Sequence, residues 1–428
     1  MSTLGTTPGG TNRPGTTPAR SFDRPRGAVP GNLRKAVRPR TIPRLELGRP
    51  EAWALVACSL ALALLGVSMI DMSGGSSSAE VLHPLAMRQA VFLGVGLMAG
   101  LACVLPHYRW LGRFAWIGYA ATIALLIFLL IPFVPSWLVA PRNGSRGWID
   151  LGPASLQPSE LAKVAYVLAL AMYLRYRKNY RTFTGFIPPA IITVVPMALI
   201  LVQPDLGTCM LFIPTLFAML VAAGARMKHI VLVVAMGLVL APFSYPLLRP
   251  HQKERIVAMV TRVQGDYSRA DSSQYQSLKA ITLTGAGGVT GLDATHSRAV
   301  IEFNALPERH NDMIFVMVVN RHGLIGGLGV LGLYLVWFGC ATTIAARCRD
   351  PFGRLVAVGL CAMVAAQTVV NLGVCVGLLP VTGVTLPFVS YGGSSLVALF
   401  LTVGLLVNIS IRPPLGPMRK SFEYADDD

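Results

Sequence analysis

The chain has 428 residues, 53% hydrophobic and 13% charged, with a formal net charge of +17. Soluble domains carry about a quarter charged residues, so an ordinary water-soluble domain is excluded and a membrane class is indicated. The seven cysteines show no pair at metal-ligand spacing and read as small apolar packers, not as a disulfide framework.

The first segment, 1–50, is rich in Pro, Gly, Thr and Arg and has no apolar periodicity. It is expected to be a disordered basic tail. Its stretch 34–49 abuts the first apolar segment and suits anionic membrane lipid. No short apolar core precedes Ala52, so it does not read as a cleavable signal. A transmembrane helix needs about 20 mostly apolar residues. Stretches of that kind follow at 52–70, 90–106, 114–134, 158–174, 186–202, 206–225, 230–248, 313–346, 355–379 and 394–411. The stretch 313–346 is long and is interrupted by Arg321-His322, and 158–174 contains Glu160 and Lys163. The expected fold is an all-α polytopic membrane protein of about ten transmembrane helices over 51–412, with a short tail at 413–428.

Orientation follows from Lys and Arg in the short loops. One side carries the basic tail and the turns with Arg109, Arg113, Arg175, Arg177, Lys178, Arg181, Arg226, Lys228, Arg347, Arg349 and Arg354. The short loops of the other side carry Arg88, Arg142 and Arg146. Both termini are therefore expected to be cytoplasmic, and the loop 249–312 is a single long extracytoplasmic connection. This asymmetry plus the tail accounts for most of the net charge, so no nucleic-acid partner is indicated.

Four outer segments carry candidate chemistry. The loop 135–157 holds Arg146 and Trp148 and leads into Gln157-Pro158-Ser159-Glu160-Leu161-Ala162-Lys163. Pro158 is a normal helix initiator. Glu160 and Lys163 share a helix face at i,i+3. They read either as a helix-end ion pair or, because ionisable groups inside a membrane are costly, as functional residues. The break Gln203-Pro204-Asp205 allows Asp205 to cap the next helix or to face a polar cavity. In the long loop, 274–286 is half apolar and suits the membrane interface. Gly285, Gly287, Gly288 and Gly291 follow as a flexible turn, for which a phosphate cradle is conceivable on weak evidence. The loop ends in Glu308-Arg309-His310-Asn311-Asp312 against an apolar stretch. Asp312 is either an N-cap or a catalytic carboxylate. Finally, 379–395 contains enough Pro and Gly to break a helix yet is apolar. At membrane depth such a backbone must be buried in protein or line a cavity, so it reads as a groove wall that includes Ser390 and Tyr391.

These segments, at 143–163, 203–208, 274–281, 306–315 and 379–395 in this order, resemble the SEDS family of RodA, FtsW and SpoVE. The resemblance spans roughly 50–412. It implies a ten-span protein of the bacterial inner membrane that polymerises lipid II into glycan strands, usually beside a class B penicillin-binding protein. It implies that Asp312 is catalytic and that Glu160 and Lys163 lie in the central cavity, with Arg146 and Trp148 in the loop before them. Asp205, Glu308, Arg309, His310, Ser390 and Tyr391 complete the expected substrate-binding set. Pro-Glu-Arg-His at 307–310 is nearer the RodA form than the FtsW form. Asn320 and Arg321 stand where the family usually carries two acidic residues, placing a cation inside a span. Asp205 or Glu160 is the candidate to compensate.

The task implied is attack of a sugar 4-hydroxyl on an anomeric carbon with loss of undecaprenyl pyrophosphate. A carboxylate takes the proton. Arg146, Lys163, Arg309 or a divalent cation (Mg²⁺ or Mn²⁺) meets the pyrophosphate, and no metal ligand set is assigned. The alternatives are a lipid II flippase or other transporter, and a non-catalytic scaffold for a penicillin-binding protein. No inverted repeat favours the transporter.

Overall fold

The computed structural model describes residues 48–412, apart from 74–81, 140, 142–144, 153, 177–183, 305–308 and, between 245 and 271, all but 246, 253 and 257. Most of both expected tails, and Glu308, lie outside the described residues. Each of the ten apolar stretches forms a helix. In chain order the described helices are α1 (Pro50–Ser73), α2 (Pro84–Val104), α3 (Tyr108–Arg113), α4 (Ala115–Leu130), α5 (Pro158–Leu174), α6 (Ile187–Val202) and α7 (Leu206–Ala222). They continue as α8 (Met227–Ser244), α9 (Ser272–Ala286), α10 (Ala294–Asn304), α11 (Ile314–Arg347), α12 (Pro351–Cys375) and α13 (Gly393–Ile411). Prolines open α2, α5 and α12, where their missing N–H is not needed.

Among the described residues, six helical segments are long and apolar enough to cross a membrane: α1, α2, α6 with its preceding turn, α11, α12 and α13. The helices α4, α5, α7 and α8 are shorter, at 16, 17, 17 and 18 residues. Large aliphatic side chains lie exposed along α2, α6, α8 and α11, including Met98, Leu101, Val239 and Leu335. Such a surface suits contact with lipid.

The stretch 313–346 is not one continuous span. Gly323, at φ +67°, breaks α11 into 314–322 and 324–347. The first part is buried almost throughout, from Met313 to Asn320. The helices α9 and α10, in the long connection between α8 and α11, pack against it. The expected interfacial segment is α9, which buries Ala280 and Leu283 on the bundle while Leu278 and Ile281 stay exposed. The glycine turn after it docks on the kink. A Cβ on Gly287 would lie 2.2 Å from the Val319 carbonyl, and one on Gly291 2.3 Å from that of Arg321. These glycines permit backbone to meet backbone, which corrects the phosphate-cradle reading.

Close approach also joins α2 to α13. Gly96 and Gly100 form a small-xxx-small face, and a Cβ on Gly404 would lie 2.2 Å from the Gly100 carbonyl. At the end of the bundle where α3 meets α12 and α13, Arg109 pairs with Asp350 at 2.7 Å and Arg347 with Glu51 at 2.9 Å. Asp350 also caps α12 through Gly353 N. Asn408 on α13 accepts from Tyr108 N and donates to the Cys103 and Pro106 carbonyls. At the opposite end, a two-residue hairpin pairs Ile149–Asp150 with Ser155–Leu156. It closes over a small cluster of Leu129, Val139 and Ile149 and leads directly into α5.

Gly404→Ala should lower stability by about 1–3 kcal/mol, the usual cost of overpacking. Gly118→Ala meets open space and serves as the control. Thermal unfolding in detergent should show a lower melting temperature for the first and no loss for the second.

Candidate active site

The segment 379–392, between α12 and α13, runs inside the bundle. Leu386, Phe388 and Val389 are fully buried, and Ser390 nearly so. Two glycines admit it: a Cβ on Gly66 would lie 2.3 Å from the Val389 carbonyl, and one on Gly207 2.6 Å from that of Thr382. Its backbone polar groups are met by buried amides. Gln89 donates to Ser390 O and accepts from Gly392 N. Gln367 donates to the Thr385 carbonyl and hydroxyl at 3.0 and 3.2 Å. Asn371 donates to Val384 O at 2.7 Å.

The same amides hold the expected chemical groups. Lys163 Nζ donates to Glu160 Oε1 at 2.9 Å and to Gln367 Oε1 at 3.0 Å. Asn371 Nδ2 donates to the Asp312 carbonyl at 2.8 Å. Gln367 and Asn371 are one turn apart on α12, about 6 Å along its axis. One helix face therefore fixes the Glu160–Lys163 pair and the Asp312 backbone at neighbouring levels. The 309–313 turn is held from the other side as well. Ser390 Oγ donates to Asn311 O, Tyr391 N donates to His310 O at 2.9 Å, and the Tyr391 and His310 rings meet edge to face.

Glu160 and Lys163 are each about 5% exposed. The second Glu160 oxygen, Oε2, has no hydrogen-bond partner among the described residues. The pair lines a narrow cavity of about 20 Å³ between α5, α12 and α13, otherwise mostly apolar. That is room for about one water molecule.

Asp205 is the N-cap of α7. Its two oxygens accept from Thr208 N at 2.9 Å and Thr208 Oγ1 at 2.7 Å, so capping occupies its carboxylate. Asp312 is 6% exposed and precedes the N-cap position of α11, which is Met313. Arg146 is half-buried. Its Nη2 reaches Val134 O at 3.5 Å, and its Nε has no hydrogen-bond partner among the described residues. Its neighbour Ser145 donates to Gln203 O, tying this loop to the end of α6. Trp148 and Arg309 are also half-buried at the same end. Arg321 does not project toward Asp312 as a bare cation in a span: its Nη1 donates to Leu292 O on the glycine turn at 2.8 Å. Neither Asp205 nor Glu160 pairs with it. Among the described residues, no group of three or more His, Cys, Asp or Glu side chains is placed to hold a metal ion.

Sequence reasoning missed Gln89, Gln367 and Asn371, and named Asn320 only as a departure from the family's usual acid. The signal was present in 355–379, where two amides at i,i+4 share one face of an otherwise apolar stretch.

The family model that describes FtsW, RodA and SpoVE, termed a cell cycle protein, matches residues 52–413. The chain belongs to this family. Stage V sporulation protein E of Bacillus subtilis is 37% identical over 330 residues, 76% of this chain and 86% of that protein. A probable peptidoglycan glycosyltransferase FtsW of Geobacter metallireducens is 32% identical over 380 residues, 86% and 97% of the two chains. Among solved structures, a chain from a study of how a peptidoglycan synthase complex coordinates polymerization and crosslinking matches with TM-score 0.69 at 32% identity, covering 84% of this chain and 97% of that one. The RodA of Thermus thermophilus matches with TM-score 0.59 at 29% identity, covering 84% and 96%. This FtsW/RodA/SpoVE-family chain thus has similar relatives of all three kinds.

Removing one partner of a buried ion pair leaves an uncompensated charge and costs about 3–5 kcal/mol, whereas replacing both is often near neutral. Lys163→Met should therefore lower the melting temperature sharply, and Lys163→Met with Glu160→Gln should recover most of the loss. Equal losses in the single and double variants would mean that the pair does not act as a unit.

Proposed function

We propose that this chain is a peptidoglycan glycosyltransferase that polymerises lipid II at the outer face of the bacterial inner membrane. The observation that carries the reading is the placement of Asp312. Its backbone is fixed by Asn371, one helical turn from the amide that holds Lys163. In this reading α4, α5, α7 and α8 complete about ten spans, and both termini are cytoplasmic. The name of the Geobacter relative and the synthase-complex neighbour support the activity and a class B penicillin-binding protein as partner. The basic tail would lie on anionic lipid.

The reaction needs a base for the acceptor 4-hydroxyl. A carboxylate that takes that proton as the new bond forms contributes about 10²–10⁴-fold, and Asp312 is assigned that role. An α-linked donor giving a β-linked product fits a single inverting displacement. The departing undecaprenyl pyrophosphate needs positive charge. Lys163 is already engaged by Glu160 and Gln367, so its part is to keep the cavity wall neutral and rigid. Arg146 is less committed and is the better candidate for the pyrophosphate, with Arg309 beside Asp312 in sequence. A divalent cation arriving with the pyrophosphate is compatible with this arrangement.

Purified Asp312→Asn should polymerise fluorescent lipid II at least about 10²-fold more slowly while keeping the wild-type melting temperature. Undiminished polymer from this variant would overturn the role of Asp312, and absence of polymer from the wild-type protein would return the chain to the carrier or scaffold class.

A further inference from the structure

Asp312 leads into an unusual helix. The part of α11 before Gly323 is nine residues long and buried nearly all round. A helix this short is marginal by itself. Apolar packing alone is non-directional, so it does not fix the helix's rotation. The kink at Gly323 also separates it from the long part of α11, so it does not inherit its orientation from the span. Directional bonds at its two ends must set its place. At the Asp312 end, Asn371 supplies them. At the other end stands Asn320, with no exposed surface.

Every polar group that Asn320 can offer there is used by the outer loop. Oδ1 accepts from Ser297 Oγ of α10 at 2.7 Å, and Nδ2 donates to the Leu283 carbonyl of α9 at 2.9 Å. Its carbonyl accepts from Leu292 N at 3.0 Å. The surrounding backbone reinforces the contact: Leu324 N donates to Gly288 O and Ile325 N to Val289 O. A Cβ on Gly323 would lie 2.2 Å from Val289 O, so the turn and the kink fit only as glycine against backbone. Lys279 of α9 donates to Asn304 O of α10, joining the two helices into one cap.

We propose that Asn320 is a positioning residue for Asp312: it latches the α9–α10 cap to the short helix that Asp312 opens, and turnover depends on that latch. This rests on the catalytic reading of Asp312 given above. Eight residues separate the two, about 12 Å of helix, so Asn320 acts through the helix and does not meet substrate.

Asn320→Asp keeps the shape and removes only the amide donor. The ionised carboxylate still accepts from Ser297 but opposes the Leu283 carbonyl. The protonated acid donates to Leu283 again. The charged or titratable residues nearby in sequence on the packed elements are Lys279 on α9, Asp293 just before α10, His296, Arg298 and Glu302 on α10, and Arg321 and His322 on α11. They are common to both proteins, so the readout is the ratio of variant to wild-type kcat across pH, with full-length protein, labelled lipid II and the melting temperature measured at each pH. The ratio should be about one tenth or less at high pH and climb toward one as pH falls, with KM for lipid II little changed and both proteins folded throughout. A ratio near one at every pH would overturn the latch, and so would a low, flat ratio that follows the melting temperature. If Asn320→Asp does not fold, Ser297→Ala decides: reduced kcat at unchanged KM supports the latch, and wild-type kcat overturns it. Asp312→Asn is run alongside. If it retains polymerisation, the catalytic reading has failed together with the latch; if it is inactive while Asn320→Asp is normal, only the latch has failed.

Discussion

Backbone without regular structure cannot face hydrocarbon, because each unpaired N–H or C=O there costs several kcal/mol. The segment 379–392 is such a backbone, and three buried amides from two helices, Gln89, Gln367 and Asn371, answer its polar groups. The arrangement of the site follows from that requirement. Asn371 divides its amide donors between Val384 O and Asp312 O, and Gln367 uses its amide on Thr385 and its carbonyl on Lys163. Satisfying the buried segment therefore also fixes the carboxylate turn and the ion pair relative to each other.

The charges divide into committed and available groups. Glu160 and Lys163 compensate each other beside a small, mostly apolar cavity, and Asp205 is spent on a helix cap. Arg321 turns to the Leu292 carbonyl of the α9–α10 connection. Asn320, where the resemblance leads one to expect acid, forms a neutral latch in place of a charge. The departure from the family's usual sequence is thus absorbed by local hydrogen bonding and needs no compensating carboxylate. Arg146 and the 309–312 turn remain as the groups through which an anionic, sugar-bearing substrate could be met.

Much of this was legible in the sequence where the cause is local. The ten apolar stretches became helices because length and apolarity dictate it. The i,i+3 spacing of Glu160 and Lys163 foretold their ion pair, and Asp205 before Leu206 foretold a cap. Pro and Gly density over 379–395 foretold a broken segment that had to be covered by protein. What stayed hidden depends on distant partners. Gln367 meets Lys163 across 204 residues, and Gln89 meets Ser390 across 301. Neither pairing leaves a local pattern. The polar pair Arg321-His322 marked an interruption of 313–346, but the kink at the next residue, Gly323, depends on the close approach of the distant Val289 backbone. The glycines at 287–291 read as a flexible turn, because the backbone they dock on, at Val319 and Arg321, lies too far along the chain to leave a local pattern.

The central claim is that one face of α12 holds the chemistry together. Asn371→Leu tests it most directly, because leucine has a similar shape and no amide. Lipid II polymerisation and melting temperature would be measured on the same purified sample. The account predicts a protein that still folds but turns over far more slowly, because the Asp312 carbonyl and Val384 lose their shared donor. Wild-type turnover in a folded Asn371→Leu protein would contradict it.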